Sequence, residues 1–293
     1  MSYPRISIVT PSLNQVDTIE SAMRSVLGQN ESLARIGGWP VEYIVIDGGS
    51  TDGTCEVIAN YRDQLAYGVS EVDRGQSHAL NKGFAHATGD VVGWLNADDL
   101  LLPGALARVC EIFAQANCDV VCGSCQYVFA DGRTEIRAVR PWQFEELFVC
   151  DPIHQPSSFW RRAWHEQVGG LDEQLHYGMD WDLWLKLVRG GASFELVDDL
   201  LSVYRITGLN KTSTGGDRRN REMYEILLRY AEGDARLLTE LAYRVLWPLK
   251  RIRRRVPEWF YRPLSDGALT MMLVGLGPML GFRRVRRCTH PFE

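Results

Sequence analysis

The sequence predicts an α/β protein: a mostly parallel central sheet flanked by helices, followed by a helical, basic C-terminal extension. Three observations carry that reading. Strand-like and helix-like runs alternate through the first half of the chain, the βαβα order of a parallel sheet covered on both faces. Three of the strand-like runs end in polar turns of small and acidic residues. Arginine and lysine then gather after residue 243.

The run 6–10 (ISIVT) is β-branched and apolar and reads as the first strand, with a helical pattern near 16–27 behind it. The run 43–47 (YIVID) reads as the second strand, followed by a helix near 54–61. A weaker strand over 65–72 leads to a helix near 77–87. The run 91–95 (VVGWL) is bounded by Gly89-Asp90 and by Asp98-Asp99, and reads as a buried strand. Pro103 suits the first turn of a helix continuing through 105–109. After about residue 122 the order changes. Segments 126–130 and 134–138, joined by Asp131-Gly132, read as a hairpin. Helices are expected over 177–189 and 218–232, and from Leu237 onward the chain reads as helical and basic. Residues 1–235 are expected to form the main domain, divided at about residue 122, and 236–293 the extension.

The 293 residues suffice for a large domain with an appendage. An apolar content of 45% and a charged content of 24% are those of a soluble globular chain. The start, MSYPRISIVTPS, has no basic n-region of a signal peptide. Seven cysteines, an odd set without a secretion signal, read as reduced thiols of a cytoplasmic protein. Cys118, Cys122 and Cys125 lack the second ligand pair of a zinc site, and Cys122 falls in a strand-like run, so buried thiols are the better reading. Between Arg244 and Arg287, eleven Lys/Arg against Glu258 and Asp266 give +9, which leaves −14 for the rest of a chain of net charge −5. An acidic body argues against nucleic acid as the partner of the fold. It points to one anionic partner for the tail.

Chemistry concentrates in the turns. Asn96-Ala97-Asp98-Asp99 puts three oxygen-bearing side chains into four residues after a buried strand. Hard cations such as Mg²⁺ or Mn²⁺ take oxygen ligands and often use only one or two carboxylates plus substrate phosphates. Asp99 alone reads equally well as a helix N-cap. In a parallel sheet this turn converges on one edge with Thr10-Pro11-Ser12-Leu13-Asn14 and with the 47–54 turn, DGGSTDGT. Together they suit a nucleotide. A carboxylate meets base or ribose, small residues allow close backbone approach, and acids hold a metal under the diphosphate.

Five segments carry a resemblance: "ISIVTPSLNQVDTIESAMRSVLGQ", "VEYIVIDGGSTDGT", "DRGQSHALNKGFAHATGDVVGWLNADD", "HQPSSFWRR" and "YGMDWDLWLKL". In this order they resemble the family 2 glycosyltransferases, inverting enzymes of the GT-A fold with a Rossmann-like sheet, of the bacterial polysaccharide and glycan-biosynthesis type. They run from residue 6 to about 190, roughly two thirds of the chain. The resemblance implies a nucleoside-diphosphate-sugar donor, a glycan or lipid-linked acceptor, and a divalent cation, Mn or Mg. It implies a donor-binding half over about 1–122 and an acceptor-binding half over about 123–235. Thr10, Pro11, Asn14 and Asp47 would line the nucleotide pocket, joined by Gly75, Asn81 and Lys82. Asn96, Ala97 and Asp98 stand at the DxD position, with Asp98 as metal ligand. Asp180 matches the general base, and His154, Gln155 and Trp181 fall on the acceptor side. Four residues depart from the family pattern. Asn96 replaces the first acid of DxD, and Met179 the acid that often precedes the base. Leu80 stands where many relatives carry an arginine before Asn81, and Thr207 where they often place a histidine.

An inverting transfer is one displacement at the anomeric carbon. A metal stabilises the leaving diphosphate, and a carboxylate takes the acceptor proton. Asp98 and Asp180 fit these two roles. Asp180 also reads as an acid favoured at a helix start, Trp181 and Trp184 as core, and His154 as a loop histidine. "IDGGST", 46–51, also resembles a phosphate turn of actin-like ATPases, and a non-catalytic nucleotide-sugar binder is a further alternative. No G-x-G-x-x-G follows the first strand, which argues against a dinucleotide oxidoreductase. The apolar stretch 267–282 is shorter than the ~20 residues of a spanning helix. With the basic residues around it, it suits peripheral attachment to an anionic membrane at the inner face of the cell membrane. The alternative is a helical pair packed on the domain.

Overall fold

The computed structural model describes residues 3–244 except 149, 209 and 242. Strand β1 (Ile6–Ser12) leads through α1 (Ile19–Leu27) and α2 (Gln29–Arg35) to β2 (Glu42–Asp47). Then come α3 (Thr54–Ala59), β3 (Tyr67–Ser70), α4 (Gln76–His86) and β4 (Val91–Trp94). β5 (Leu100–Leu101), α5 (Ala105–Gln115), β6 (Val120–Phe129) and β7 (Thr134–Arg137) follow. β8 (Ser158–Arg161), α6 (Arg162–Gln167), α7 (Met179–Gly190), β9 (Phe194–Ile206) and α8 (Lys211–Thr214) come next, and α9 (Gly216–Tyr230) and α10 (Gly233–Leu241) last. The chain divides into two units. One comprises Met1–Pro141 and Ile153–Thr214; the described part of the other is Trp142–Pro152 with 215–244.

In the first unit the strands lie in the order β3-β2-β1-β4-β8-β6-β9-β5, with β7 added on β6. β1 pairs in parallel with β2 and β4, β2 with β3, and β6 with β9. β8 runs antiparallel between β4 and β6, so those two point the same way. The sheet is thus mostly parallel, as the βαβα pattern predicts. Every residue of β1, β2 and β4 is buried, and apolar residues predominate on both faces, with buried polar groups at Ser7, Thr10, Ser12, Glu42 and Asp47. One apolar face packs Ile6, Ile8, Tyr43 and Val45 against Ala22, Met23 and Val26 of α1 and Leu106 and Val109 of α5. On the other, α4 approaches β1 so closely that a Cβ on Gly83 would lie 2.3 Å from Val9 Cγ1. There Trp94 stacks on Trp184 at 6.3 Å, and Trp160 meets both edge-on at 5.6 Å. Each such ring buries roughly 150–250 Å², which anchors α7 to the sheet. Leu183 and Leu187 complete its buried side.

Several sequence expectations need correction. The helix expected at Pro103 starts later. Its N-cap is Gly104, at φ 82°, and the two-residue strand β5 precedes it. Pairing of β5 with β9, extended by Leu102 N–H to Leu201 O at 2.9 Å, holds the chain extended past the point where the proline would start a helix. Asp99 is therefore no N-cap. Its N–H bonds Asn96 O at 3.1 Å and closes a tight turn. The hairpin forms, but its first strand is continuous with the Cys122 run as the ten-residue β6. α2, β8 and β9 were not expected from the pattern. In β9 the register with β6 skips Asp198 and Asp199 and then Leu201. Gly123 makes room for that Leu201, whose Cδ1 would lie 2.5 Å from a Cβ at 123.

The hydrophobic stretch 267–282, Cys288 and nearly all of the basic tail lie outside the described residues. Among the described residues, no helix is long and apolar enough to cross a membrane.

Candidate active site

The carboxyl ends of β1, β2 and β4 bring three polar turns to one edge of the sheet. Asp47, the last residue of β2, is fully buried and organises its own turn. Its carboxylate accepts bonds from Ser50 N (2.8 Å), Ser50 Oγ (2.5 Å), Gly49 N (3.1 Å), Ser70 Oγ (2.6 Å) and the Cys55 thiol (3.3 Å). Burial pushes its pKa up, but bonds from Ser50, Ser70 and Cys55 outweigh this, and the net shift is downward. Asn14, at φ 53°, ties the β1 turn to the β2 turn. Its N–H donates to Ser50 Oγ (2.7 Å) and its Oδ1 accepts from Thr51 N (3.0 Å). Thr10 is buried and shares a bond with Tyr43 OH at 2.9 Å, and Pro11 is buried beside it.

The β4 turn is a network centred on Asn96. Its Oδ1 accepts from Gln76 Nε2 (2.9 Å), and its Nδ2 donates to Asp99 Oδ2 and Gln155 Oε1, both at 3.1 Å. Gln155 in turn donates to Trp94 O at 2.8 Å. The amide that replaces an acid at this position therefore has a function an acid would lack: it donates to a carboxylate. Asp99 is fully buried and also accepts Arg205 N–H at 3.1 Å. Burial, then the charge of Asp98, holds the Asp99 carboxyl well above the usual carboxylate range. Burial likewise raises Asp98, against the pull of Arg205 and of a bond from Asn210. Asn210 Nδ2 donates to Asp98 Oδ2 at 2.9 Å and to Arg205 O at 2.8 Å. Its Oδ1 accepts from Thr207 N (2.6 Å) and Thr207 Oγ1 (3.1 Å). Asn210 is a positioning residue that sequence reasoning missed, since nothing local marks it. Ala97 is buried between these groups.

Two adjacent carboxylates that resist ionisation form a site a hard cation would relieve. Among the described residues no three His, Cys, Asp or Glu side chains converge. Asp98 is half-buried where Asp99 is fully buried, so within this turn it is the carboxylate open to a ligand.

The start of α4 joins this turn to α7. Gln76 bonds Asn96, while Ser77 Oγ donates to Leu175 O and contacts Met179 Sδ, both at 3.3 Å. Met179 immediately precedes Asp180. The N-cap of α7 is Gly178, so Asp180 is not the capping residue; it is half-buried and accepts Trp181 N–H at 2.9 Å. Asp182, two residues on, is fully buried and pairs with Lys186 at 2.9 Å. Other predicted donor residues have partners within the chain. Asn81 Nδ2 donates to Leu171 O (2.9 Å) and Glu173 Oε1 (3.2 Å), and its Oδ1 accepts Leu171 N–H (3.0 Å). Lys82 pairs with Glu71. Gly75, at φ 120°, donates its N–H to Asp73 at 2.7 Å.

Of the residues expected on the acceptor side, His154 has its Nδ1 3.3 Å from Tyr127 OH. Burial, and then the charge of Arg137, lowers its pKa to about 4, so it is neutral at pH 7. Tyr127 also packs edge-on to Tyr204 at 5.2 Å, under the Arg137 guanidinium at 4.0 Å. Trp181 is buried, with 6% of its surface exposed, and Trp184 is core.

A family profile described as glycosyl transferase family 2 matches residues 7–166, more than half of the chain. An uncharacterized glycosyltransferase of Nostoc sp. is 35% identical over 116 residues, covering 39% of this chain and 34% of that protein. One from Rickettsia prowazekii is 27% identical over 221 residues, covering 72% and 67%. The succinoglycan biosynthesis protein ExoU of Rhizobium meliloti is 27% identical over 213 residues, covering 66% and 59%. The chain thus spans about one third to two thirds of the length of these curated relatives. Among solved structures, S. aureus TarS 1–349 in complex with UDP-GlcNAc superposes with a TM-score of 0.61 at 15% identity, covering 98% of this chain and 91% of that one. The mannosyltransferase PcManGT of Pyrobaculum calidifontis, in complex with GDP-Man and Mn²⁺, gives 0.61 at 21% identity, covering 99% and 85%. The shared architecture is the GT-A fold, which sets aside the actin-like reading of the 46–51 turn. From the profile over most of the first unit and this fold, the chain belongs to glycosyl transferase family 2.

Proposed function

We propose that the protein is an inverting glycosyltransferase. It moves a sugar from a nucleoside-diphosphate-sugar donor to a hydroxyl of a glycan or lipid-linked acceptor by a single displacement. The observation that carries this is the junction at the start of α4. Gln76 holds the Asn96 turn next to Asp98, and Ser77 holds the residue next to Asp180. Both carboxylates that this reading uses are thus adjacent to residues held by one helix, which supports a fixed reaction geometry. The donor complexes of TarS and PcManGT, and the succinoglycan biosynthesis in ExoU's name, support the substrate class.

In this reading Thr10, Pro11, Asn14 and Asp47 frame the nucleoside, with Gly75, Asn81 and Lys82 shaping the neighbouring wall. Asn96, Ala97 and Asp98 lie under the diphosphate. Asp98 holds a divalent cation, Mn²⁺ or Mg²⁺, as the Mn²⁺ in the PcManGT complex suggests. When bound, that ion offsets charge on the departing diphosphate. Asp180 takes the acceptor proton, and His154, Gln155 and Trp181 shape the acceptor side. Neutral His154 contributes shape and hydrogen bonding, not charge, near pH 7. The donor side comes from about 1–122, the acceptor side from about 123–235, and 236–293 form the extension.

A panel of nucleotide sugars, assayed for nucleoside-diphosphate release with Mn²⁺, tests the function. Release from one donor, accelerated by an acceptor glycan or glycolipid, is the expected result. Ligand-induced thermal stabilisation without release under any acceptor would favour the non-catalytic binder, and neither effect would overturn the donor reading itself. The basic extension is assigned to an anionic membrane surface, consistent with a peripheral enzyme of the cytoplasmic face. The full chain is expected to sediment with anionic liposomes at low salt and to be released as salt rises. Equal sedimentation with neutral liposomes would overturn that assignment.

A further inference from the structure

We infer that Asn81 is a positioning residue for Asp180, acting through the loop that leads into α7; the inference rests on the reading of Asp180 as the base. The resemblance places Asn81 in the nucleotide pocket, but its side-chain hydrogen bonds lie with the segment before α7. Nδ2 donates to Leu171 O at 2.9 Å and to Glu173 Oε1 at 3.2 Å, while Oδ1 accepts Leu171 N–H at 3.0 Å. One amide thus partners both backbone polar groups of Leu171, a buried residue 90 positions away. The loop is shaped to meet it. Gly169 and Gly170, in the left-handed region at φ 78° and 69°, turn the backbone after α6. A Cβ on Gly170 would lie 3.0 Å from Asn81 Oδ1.

Two more residues on this side of α4 hold the same loop. Ser77 Oγ donates to Leu175 O and contacts Met179 Sδ, both at 3.3 Å. Arg74, just before the helix, pairs with Glu173 at 2.5 Å. Ser77 and Asn81 are four residues apart and so share a face of α4. From α7 itself, Lys186 Nζ donates to Gly170 O at 3.1 Å. The loop is thereby tied at 170, 171, 173 and 175, and the tie continues at Met179, next to Asp180. The N-cap of α7, Gly178, has no side chain with which to bond the first N–H groups of the helix. Where Asp180 stands therefore depends on how the incoming loop is held. A displacement of about 1 Å at a reacting group costs about 10²-fold in rate, so a clamp remote from the chemistry has a kinetic effect.

The test uses the full chain and a panel of UDP-, GDP- and dTDP-sugars with Mn²⁺. For Asn81→Leu, kcat is expected to fall about 10-fold, while donor affinity stays within about twofold of the parent. In an Asp180→Asn background the same change is expected to cost less than about twofold in kcat, because the group it positions is gone. Hydrogen exchange without donor is expected to show weaker protection over 171–181 and parental protection over 47–54. Ser77→Ala removes one hydroxyl only and is expected to show the same split at about threefold; it carries the test if Asn81→Leu does not fold. A donor affinity that falls while kcat holds would return Asn81 to the nucleotide pocket and overturn the inference. An equal loss of kcat with and without the Asp180 carboxylate, the mark of a general structural defect, would overturn it too. Full turnover in Asp180→Asn, or a parent that turns over no donor, removes the proposed function and this inference together. Parental kcat in Asn81→Leu, or in Ser77→Ala where only that variant folds, beside an inactive Asp180→Asn removes this inference alone.

Discussion

Asp180→Asn is expected to lower turnover by about 10²-fold or more while donor affinity stays at the parent value. Asparagine keeps the size of the side chain, and its Oδ1 still accepts Trp181 N–H, the bond seen at 2.9 Å. The start of α7 therefore survives the change. Its N-cap is Gly178, and its inner face is fixed by Leu183, Trp184 and Leu187. What the substitution removes is basicity. Loss of a helix-start interaction alone would instead cost about 1 kcal/mol of stability and spare the chemical step. Steady-state kinetics beside donor titration separate the two. Product stereochemistry adds a second check, since a single displacement on an α-linked donor must give a β-linked product. An α-linkage in the proton couplings, or full turnover in Asp180→Asn, sinks the assignment.

Asp98→Ala is expected to abolish the manganese-dependent part of donor binding. A donor at a hundred times its dissociation constant stabilises a folded chain by about 2.7 kcal/mol. The parent should show its thermal shift mainly with Mn²⁺, and the variant should show the same small shift with and without it. Asp99→Ala is expected to act differently. Its carboxylate accepts from Asn96 Nδ2 and Arg205 N–H in a fully buried position. Its loss leaves the half-buried Arg205 N–H without this acceptor and Asn96 Nδ2 with only Gln155, and lowers stability by about 1–3 kcal/mol in all, more than it lowers metal dependence. Manganese-dependent affinity retained by Asp98→Ala would show that the cation is held elsewhere.

Much of this architecture was legible because buried parallel strands leave a plain trace. β1, β2 and β4 are buried throughout and rich in apolar residues, and the polar turns after them are where such a sheet places ligands. What could not be read was fixed by partners distant in sequence. β9 carries Asp198 and Asp199 in mid-strand, which disguises it; they fall where the register with β6 slips, and Asp199 pairs with Arg108 at 3.0 Å. β5 is two residues long and exists only through its pairing with β9. The candidate site shows the same limit. The acids and the glycine-rich turn stood out by residue type, and Asp180 through the family resemblance. Asn81 and Lys82 did too, yet the structure engages their side chains with Leu171 and with Glu173 or Glu71. Gln76 and Asn210 gave no local signal, because their positions depend on contacts spanning 20 and 112 residues.

The pairing of β5 with β9 also orders events during synthesis on the ribosome. β3, β2, β1 and β4 can align once residue 94 has left the exit tunnel, because each finds its parallel neighbour among the others. Leu100 and Leu101 must wait for Ser202 and Val203. At about 5–20 residues per second, that interval lasts on the order of 5–20 seconds. Until it ends, the turn between β4 and β5 is anchored at one end only. Asp99 lacks Arg205 N–H, and Asp98 lacks Asn210. The bonds that hold the two carboxylates in the finished turn are made only after β9 is in place. A nascent chain arrested before residue 194 would carry a folded half-sheet with an unassembled acid turn at its edge.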